Sequence, residues 1–206
     1  MVISNAVVCD VNGERNVDVR IEDGFVVEMG VGLEDENKTD AKGAYLLPSL
    51  IDTNVRVQDS SLNAKNIKAI SDEALRGGVG RIVLNADSQP AIDNEVVLEF
   101  AQNGLTDVNG AKVDLMLNTL QEDLKLSNIA ILLKKGAIVP YMSTIAKNNL
   151  AIKIAQYVQM YKVTLFCKAE DNSLIHSGVM LDGDMSSKLG LAGIPDLSEV
   201  LHVSRM

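Results

Sequence analysis

The spacing of apolar positions changes once along the chain. Up to about residue 46 they fall in short runs broken by tight turns. Val2-Ile3 and Ala6-Val7-Val8-Cys9 are apolar and β-prone. Val17-Asp18-Val19-Arg20-Ile21 alternates with the period of two expected of a half-buried strand. Phe25-Val26-Val27-Glu28-Met29 predicts another strand, and Asn12-Gly13 and Asp23-Gly24 are hairpin-type turns. The polar stretch Glu34-Asp35-Glu36-Asn37-Lys38 reads as a loop. Hairpins at this spacing predict a small β-module over residues 1–46.

After Pro48, apolar strands alternate with helical stretches. Strands are predicted at Ser49-Leu50-Ile51-Asp52, Arg81-Ile82-Val83-Leu84, Val113-Asp114-Leu115-Met116-Leu117, Ala137-Ile138-Val139-Pro140-Tyr141 and Val163-Thr164-Leu165-Phe166-Cys167. Between them, residues 62–76 carry apolar side chains near a helical period and stop at Gly77-Gly78. Ile92, Val96, Val97 and Phe100 predict a second helix. Leu124, Ile129, Leu132 and Leu133 predict a third, ending at Gly136, and Ile145 to Tyr161 a fourth. This alternation predicts an α/β fold with a parallel sheet, open or barrel-shaped. The region from His176 onward is less regular, with a helix start at Ser198-Glu199-Val200-Leu201.

Composition narrows the picture. With 206 residues, 47% of them hydrophobic, the chain can bury a core as one large domain or a domain plus a small module. A formal net charge of -9 disfavours nucleic acid or an anionic membrane as partner. Cys9 and Cys167 sit in apolar runs without a CxxC neighbour, which predicts buried free thiols rather than a disulfide or zinc knuckle. The N-terminus lacks the basic and apolar regions of a signal peptide, and no apolar run approaches the ~20 residues of a membrane span. A cytoplasmic location is expected. Met142, Met160, Met180 and Met185 read as packing residues. The two histidines, His176 and His202, read as a solvated loop residue and as a structural or mobile residue near the end. Gly77-Gly78-Val79-Gly80 lacks the setting of a phosphate loop and reads as a helix-to-strand turn.

Three segments together carry a resemblance. They are Asp23-Gly24-Phe25-Val26-Val27-Glu28-Met29-Gly30, then Asp40-Ala41-Lys42-Gly43-Ala44-Tyr45-Leu46-Leu47-Pro48-Ser49-Leu50-Ile51-Asp52, then Gln89-Pro90-Ala91-Ile92-Asp93-Asn94. In this order the chain resembles the opening of the amidohydrolase superfamily, and within it the dihydroorotases. The resemblance implies a small β-sandwich module over residues 1–46, followed over 47–206 by the first part of a (β/α)8 TIM-type barrel. The family carries metal, expected to be zinc, at the C-terminal ends of the barrel strands. Five strands cannot close such a barrel. A fragment of a protein about twice as long, a natural truncation, or a half held by its complement or by an oligomer are the expectations.

The resemblance also implies where metal ligands should stand. Two first-strand histidine positions are occupied by Asn54 and Arg56, the fourth-strand acid or lysine position by Met142, and the fifth-strand histidine position by Lys168. Arginine stays protonated and cannot ligate, and asparagine is a poor zinc ligand. Two positions equated with substrate binding read Gln58 and Asp87, the second placing negative charge where an anion should bind. Asn54 and Arg56 are read as a replaced substrate site or as ordinary hydrogen-bonding residues of a barrel mouth. Lys168 is expected to form an ion pair with Asp52, Asp59 or Asp87. The resemblance therefore implies a non-catalytic dihydroorotase-like protein without zinc. Such a protein would be a structural or regulatory partner of aspartate carbamoyltransferase in pyrimidine biosynthesis, or a homo-oligomer. An active dihydroorotase or other cyclic amidohydrolase is the alternative. A binding module in which Arg56 and Lys168 meet an anion is a third.

Overall fold

The structure is a computed structural model that describes residues 1–57, 59, 61–106, 108–142 and 147–205. Two compact units are present, Met1–Leu50 and Ile51–Met206. In the first, β1 (Val2–Asp10), β2 (Gly13–Glu22) and β3 (Phe25–Gly30) form consecutive antiparallel hairpins. The β2–β3 turn places Asp23 and Gly24 both at positive φ, 50° and 81°, as a two-residue turn between twisted strands requires. β4 (Lys38–Asp40) and β5 (Tyr45–Leu46) both pair parallel to β1. Val2, Ala6, Val8 and Val19 are buried. This single five-stranded sheet is what the N-terminal part of the expected β-sandwich module amounts to among the described residues.

One position departs from the alternation expected of β2. Asp18, predicted on the solvated face, is buried. Asn5, at φ 53°, slips the β1–β2 register between Ile3 and Ala6 and turns its backbone N–H inward. The Asp18 carboxylate accepts from Asn5 N (2.9 Å), Gly32 N (2.9 Å) and Leu33 N (3.0 Å). It therefore satisfies three backbone donors that the irregular strand and the following loop leave free. The Asn5 hydrogen bond, with those of Leu33 and Gly32, holds the carboxyl below its ordinary value of 3.8, against the opposing effect of burial. A depressed folded pKa contributes stability that is present above the unfolded value and is lost as pH falls through the folded one. Asp18→Asn is accordingly expected to destabilise the protein at pH 7, with the difference from wild type shrinking below about pH 4. Urea titrations across this range, followed by circular dichroism, check it.

The second unit repeats strand and helix in order: β6 (Leu50–Val55), α1 (Ala64–Arg76), β7 (Val79–Leu84), α2 (Glu95–Asn103), β8 (Lys112–Asn118), α3 (Ile129–Lys134), β9 (Val139–Met142), α4 (Asn148–Tyr161) and β10 (Phe166–Cys167). Sheet order equals chain order, β6-β7-β8-β9-β10, and the β7–β8, β8–β9 and β9–β10 pairs are parallel. An open doubly wound sheet reverses its strand order partway; this one never does. It is the wall of a partial (β/α) barrel, the fold class expected from the sequence. The middle strands are apolar on both faces: Ile82, Val83 and Leu84 in β7 and Leu115, Met116 and Leu117 in β8 are all buried. Ile67, Leu98, Leu132 and Ile154 bring the helices onto them.

Helix starts follow side-chain chemistry. Asn63 Oδ1 accepts from Asn66 N (2.9 Å) to cap α1, and Asn94 Oδ1 from Val97 N (3.1 Å) to cap α2. Five expectations need correction. Ile92 is buried in the loop before α2, because the Asn94 cap fixes a later start. Leu124 lies outside α3 at φ 61°: Asp123 Oδ1 accepts from Lys125 N, and Gln121 N bonds to Lys125 O, closing a turn there instead. The strand expected over 163–167 shortens to Phe166–Cys167, which among the described residues pair with Tyr141 and Met142 of β9. On this edge strand Cys167 is exposed rather than buried, and Met160 and Met185 are exposed as well. The helix start expected at Ile145 lies outside the described residues.

The remaining elements are short: α5 (Asn172–Ile175), β11 (Met180–Leu181), α6 (Asp184–Leu189), β12 (Gly193–Ile194) and α7 (Leu197–Arg205), with β11 and β12 parallel. Ser198 Oγ accepts from Asp171 N (3.0 Å), which ties α7 back to the end of the main sheet. His176 is exposed and His202 buried.

One close approach sets how α1 sits beside β8. Ser71 Oγ, fully buried, donates to Ala111 O (2.7 Å), and Ala111 N donates to Ser71 O (3.1 Å). A Cβ on Gly110 would lie 2.6 Å from Ser71 Oγ and 2.7 Å from the Ser71 backbone. Gly110→Ala is expected to cost about 1–3 kcal/mol, because backbone rather than a flexible side chain must give way. A shift of the urea midpoint at unchanged slope checks it.

Candidate functional site

Parallel strands in chain order place their C-terminal ends on one rim, and the polar residues of the second unit gather there. Asn54 lies near the end of β6 and Arg56 just beyond it. Asn85 follows β7 directly, and its buried side chain joins these neighbours: Nδ2 donates to Asn54 Oδ1 (2.7 Å), and Oδ1 accepts from Asp87 N (2.7 Å). Asn85 N also donates to Val55 O (2.8 Å), so the same residue extends the β6–β7 pairing. The loop it holds brings Asp87 Oδ2 to 3.9 Å from Arg56 Nη2, both side chains about half exposed. Three of the expected site positions, Asn54, Arg56 and Asp87, are thus one connected group.

Beside them is a cavity of about 350 Å³. Its lining includes Arg56, Asp87, Asp93, Asn118 and Glu122. Asn118 ends β8 and is buried; its backbone N donates to Ile92 O (2.7 Å), and its Oδ1 accepts from Leu120 N (3.3 Å). Asp93, also buried, accepts from Asn94 Nδ2 (2.6 Å). Sequence reasoning passed over Asn85, Asp93 and Asn118. A polar residue closing an apolar strand run, as in Leu115-Met116-Leu117-Asn118, was the available signal for the last.

The other expected positions stand apart. Met142 is fully buried in the core at the end of β9. Lys168 N donates to Met142 O (3.0 Å), joining the two through the backbone. The Lys168 ammonium pairs with Glu170 Oε2 at 2.6 Å, rather than with Asp52, Asp59 or Asp87. The short spacing wins: a carboxylate two residues along the same segment needs no reach across the rim. Gln58 lies outside the described residues.

The donor set does not fit the metal that the fold family implies. The Asn54 oxygen already accepts a hydrogen bond, Arg56 and Lys168 bring positive charge, and the Met142 thioether is packed in the core. Among the described residues, no group of three or more His, Cys, Asp or Glu side chains comes together in a way that could hold a metal ion.

A partial, singly wound (β/α) barrel with polar side chains at its strand ends is the architecture of the amidohydrolase superfamily. A family model described as "Dihydro-orotase-like" matches residues 43–206, and the chain belongs to that family. It is 29% identical over 220 residues to the dihydroorotase of Ruminiclostridium cellulolyticum, covering all of this chain and 50% of that protein. It is 28% identical over 218 residues to the dihydroorotase of Thermoanaerobacter sp., covering all of this chain and 49% of that protein. The chain therefore spans about half the length of the curated relatives it matches. Among solved structures, the L-hydantoinase of Arthrobacter aurescens superposes with a TM-score of 0.74 at 16% identity, over 99% of this chain and 49% of that one. A D-hydantoinase does so with a TM-score of 0.70 at 17% identity, over 85% and 41%. These two likenesses concern the fold.

The geometry makes Asn85 the residue on which this rim depends. Asn85→Ala removes a buried group with a partner on each side and is expected to cost about 1–3 kcal/mol. Asn54→Ala, at an exposed position, is expected to cost less. Chemical denaturation of the two variants side by side checks the order.

Proposed function

We propose that this protein is a non-catalytic member of the dihydroorotase-like family. The observation that carries the reading is the residue set at the strand ends: an engaged amide, two paired cations and a buried thioether stand where the family resemblance puts metal ligands. A zinc-bound water needs ligands that are neutral donors or anions, and two fixed positive charges oppose the metal's own. The acid at Asp87 further disfavours an anionic substrate at the position equated with substrate binding.

The role that follows is structural or regulatory. The family resemblance supplies the partner, aspartate carbamoyltransferase, within pyrimidine biosynthesis, with self-association into a homo-oligomer as the other arrangement. Such a role belongs in the cytoplasm; no described helix is long and apolar enough to cross a membrane. The names of the relatives favour the opposing reading, an active dihydroorotase or other cyclic amidohydrolase.

Metal analysis with a dihydroorotate assay on the purified protein separates the two. Zinc far below one per chain and turnover at the uncatalysed background are expected. Stoichiometric zinc with turnover would overturn the reading. Co-purification with aspartate carbamoyltransferase, and loss of the transferase's assembly without this protein, tests the partner; a transferase unaffected by its absence counts against that role.

A further inference from the structure

We draw no further inference here: the strongest candidate, the cavity of about 320 Å³ beside α7 that His202 lines with Asp171, Leu201 and Ser204, carries none, because both His202 ring nitrogens, which lack a hydrogen-bond partner among the described residues, are enclosed and nothing in the structure shows what would reach them.

Discussion

Each barrel strand pairs with its neighbour in the chain, and everything at the candidate site depends on that pairing. β6 through β10 lie in order, so their C-terminal ends share one rim. The core enforces it. β7 and β8 are apolar on both faces and are stable only with cover on each side. The Ser71–Ala111 exchange and the absence of a side chain at Gly110 let α1 approach the start of β8 closely. On the rim the same pairing is continued by a side chain, as Asn85 bonds β6 through Val55 O and then fixes both Asn54 and Asp87.

This arrangement gives the rim a chemistry of its own. In the amidohydrolase architecture the strand ends are where charge is concentrated to bind and activate a metal. Here the two cations at the expected ligand positions are paired locally, Arg56 with Asp87 and Lys168 with Glu170. Asn54 is engaged with Asn85, and the end of β9 is closed by Met142. The proposed non-catalytic reading rests on these pairings. The relatives' names describe proteins about twice the length of this chain.

The order of strands and helices was legible in the sequence because the apolar period changes sharply at Pro48 and because each long helix has its own apolar face. Element ends were less so. Leu124 matched a helical period, yet the side chain of Asp123 capped a turn around it, and local polar chemistry outweighed periodicity. Asp18 matched an exposed strand position, yet the slip at Asn5 and the loop at Gly32 and Leu33 supplied three donors that drew it inside. At the site, Asn54, Arg56, Met142 and Lys168 could be placed on strand ends from the resemblance. Their partners could not: Asn85 and Glu170 come into play only through the geometry of the loops. The burial of the Asn118 carboxamide and of the Asp93 carboxylate leaves no periodic trace in the sequence.

The central claim, that the rim is closed to metal by its own side chains, is tested most directly by diffraction at the zinc absorption edge from crystals grown with excess zinc. The account predicts no anomalous peak at the ends of β6, β9 and β10, with the Asn54–Asn85 hydrogen bond and the Arg56–Asp87 pair in place. A peak there within the ~2.0–2.3 Å of zinc coordination from this protein's side chains would contradict it.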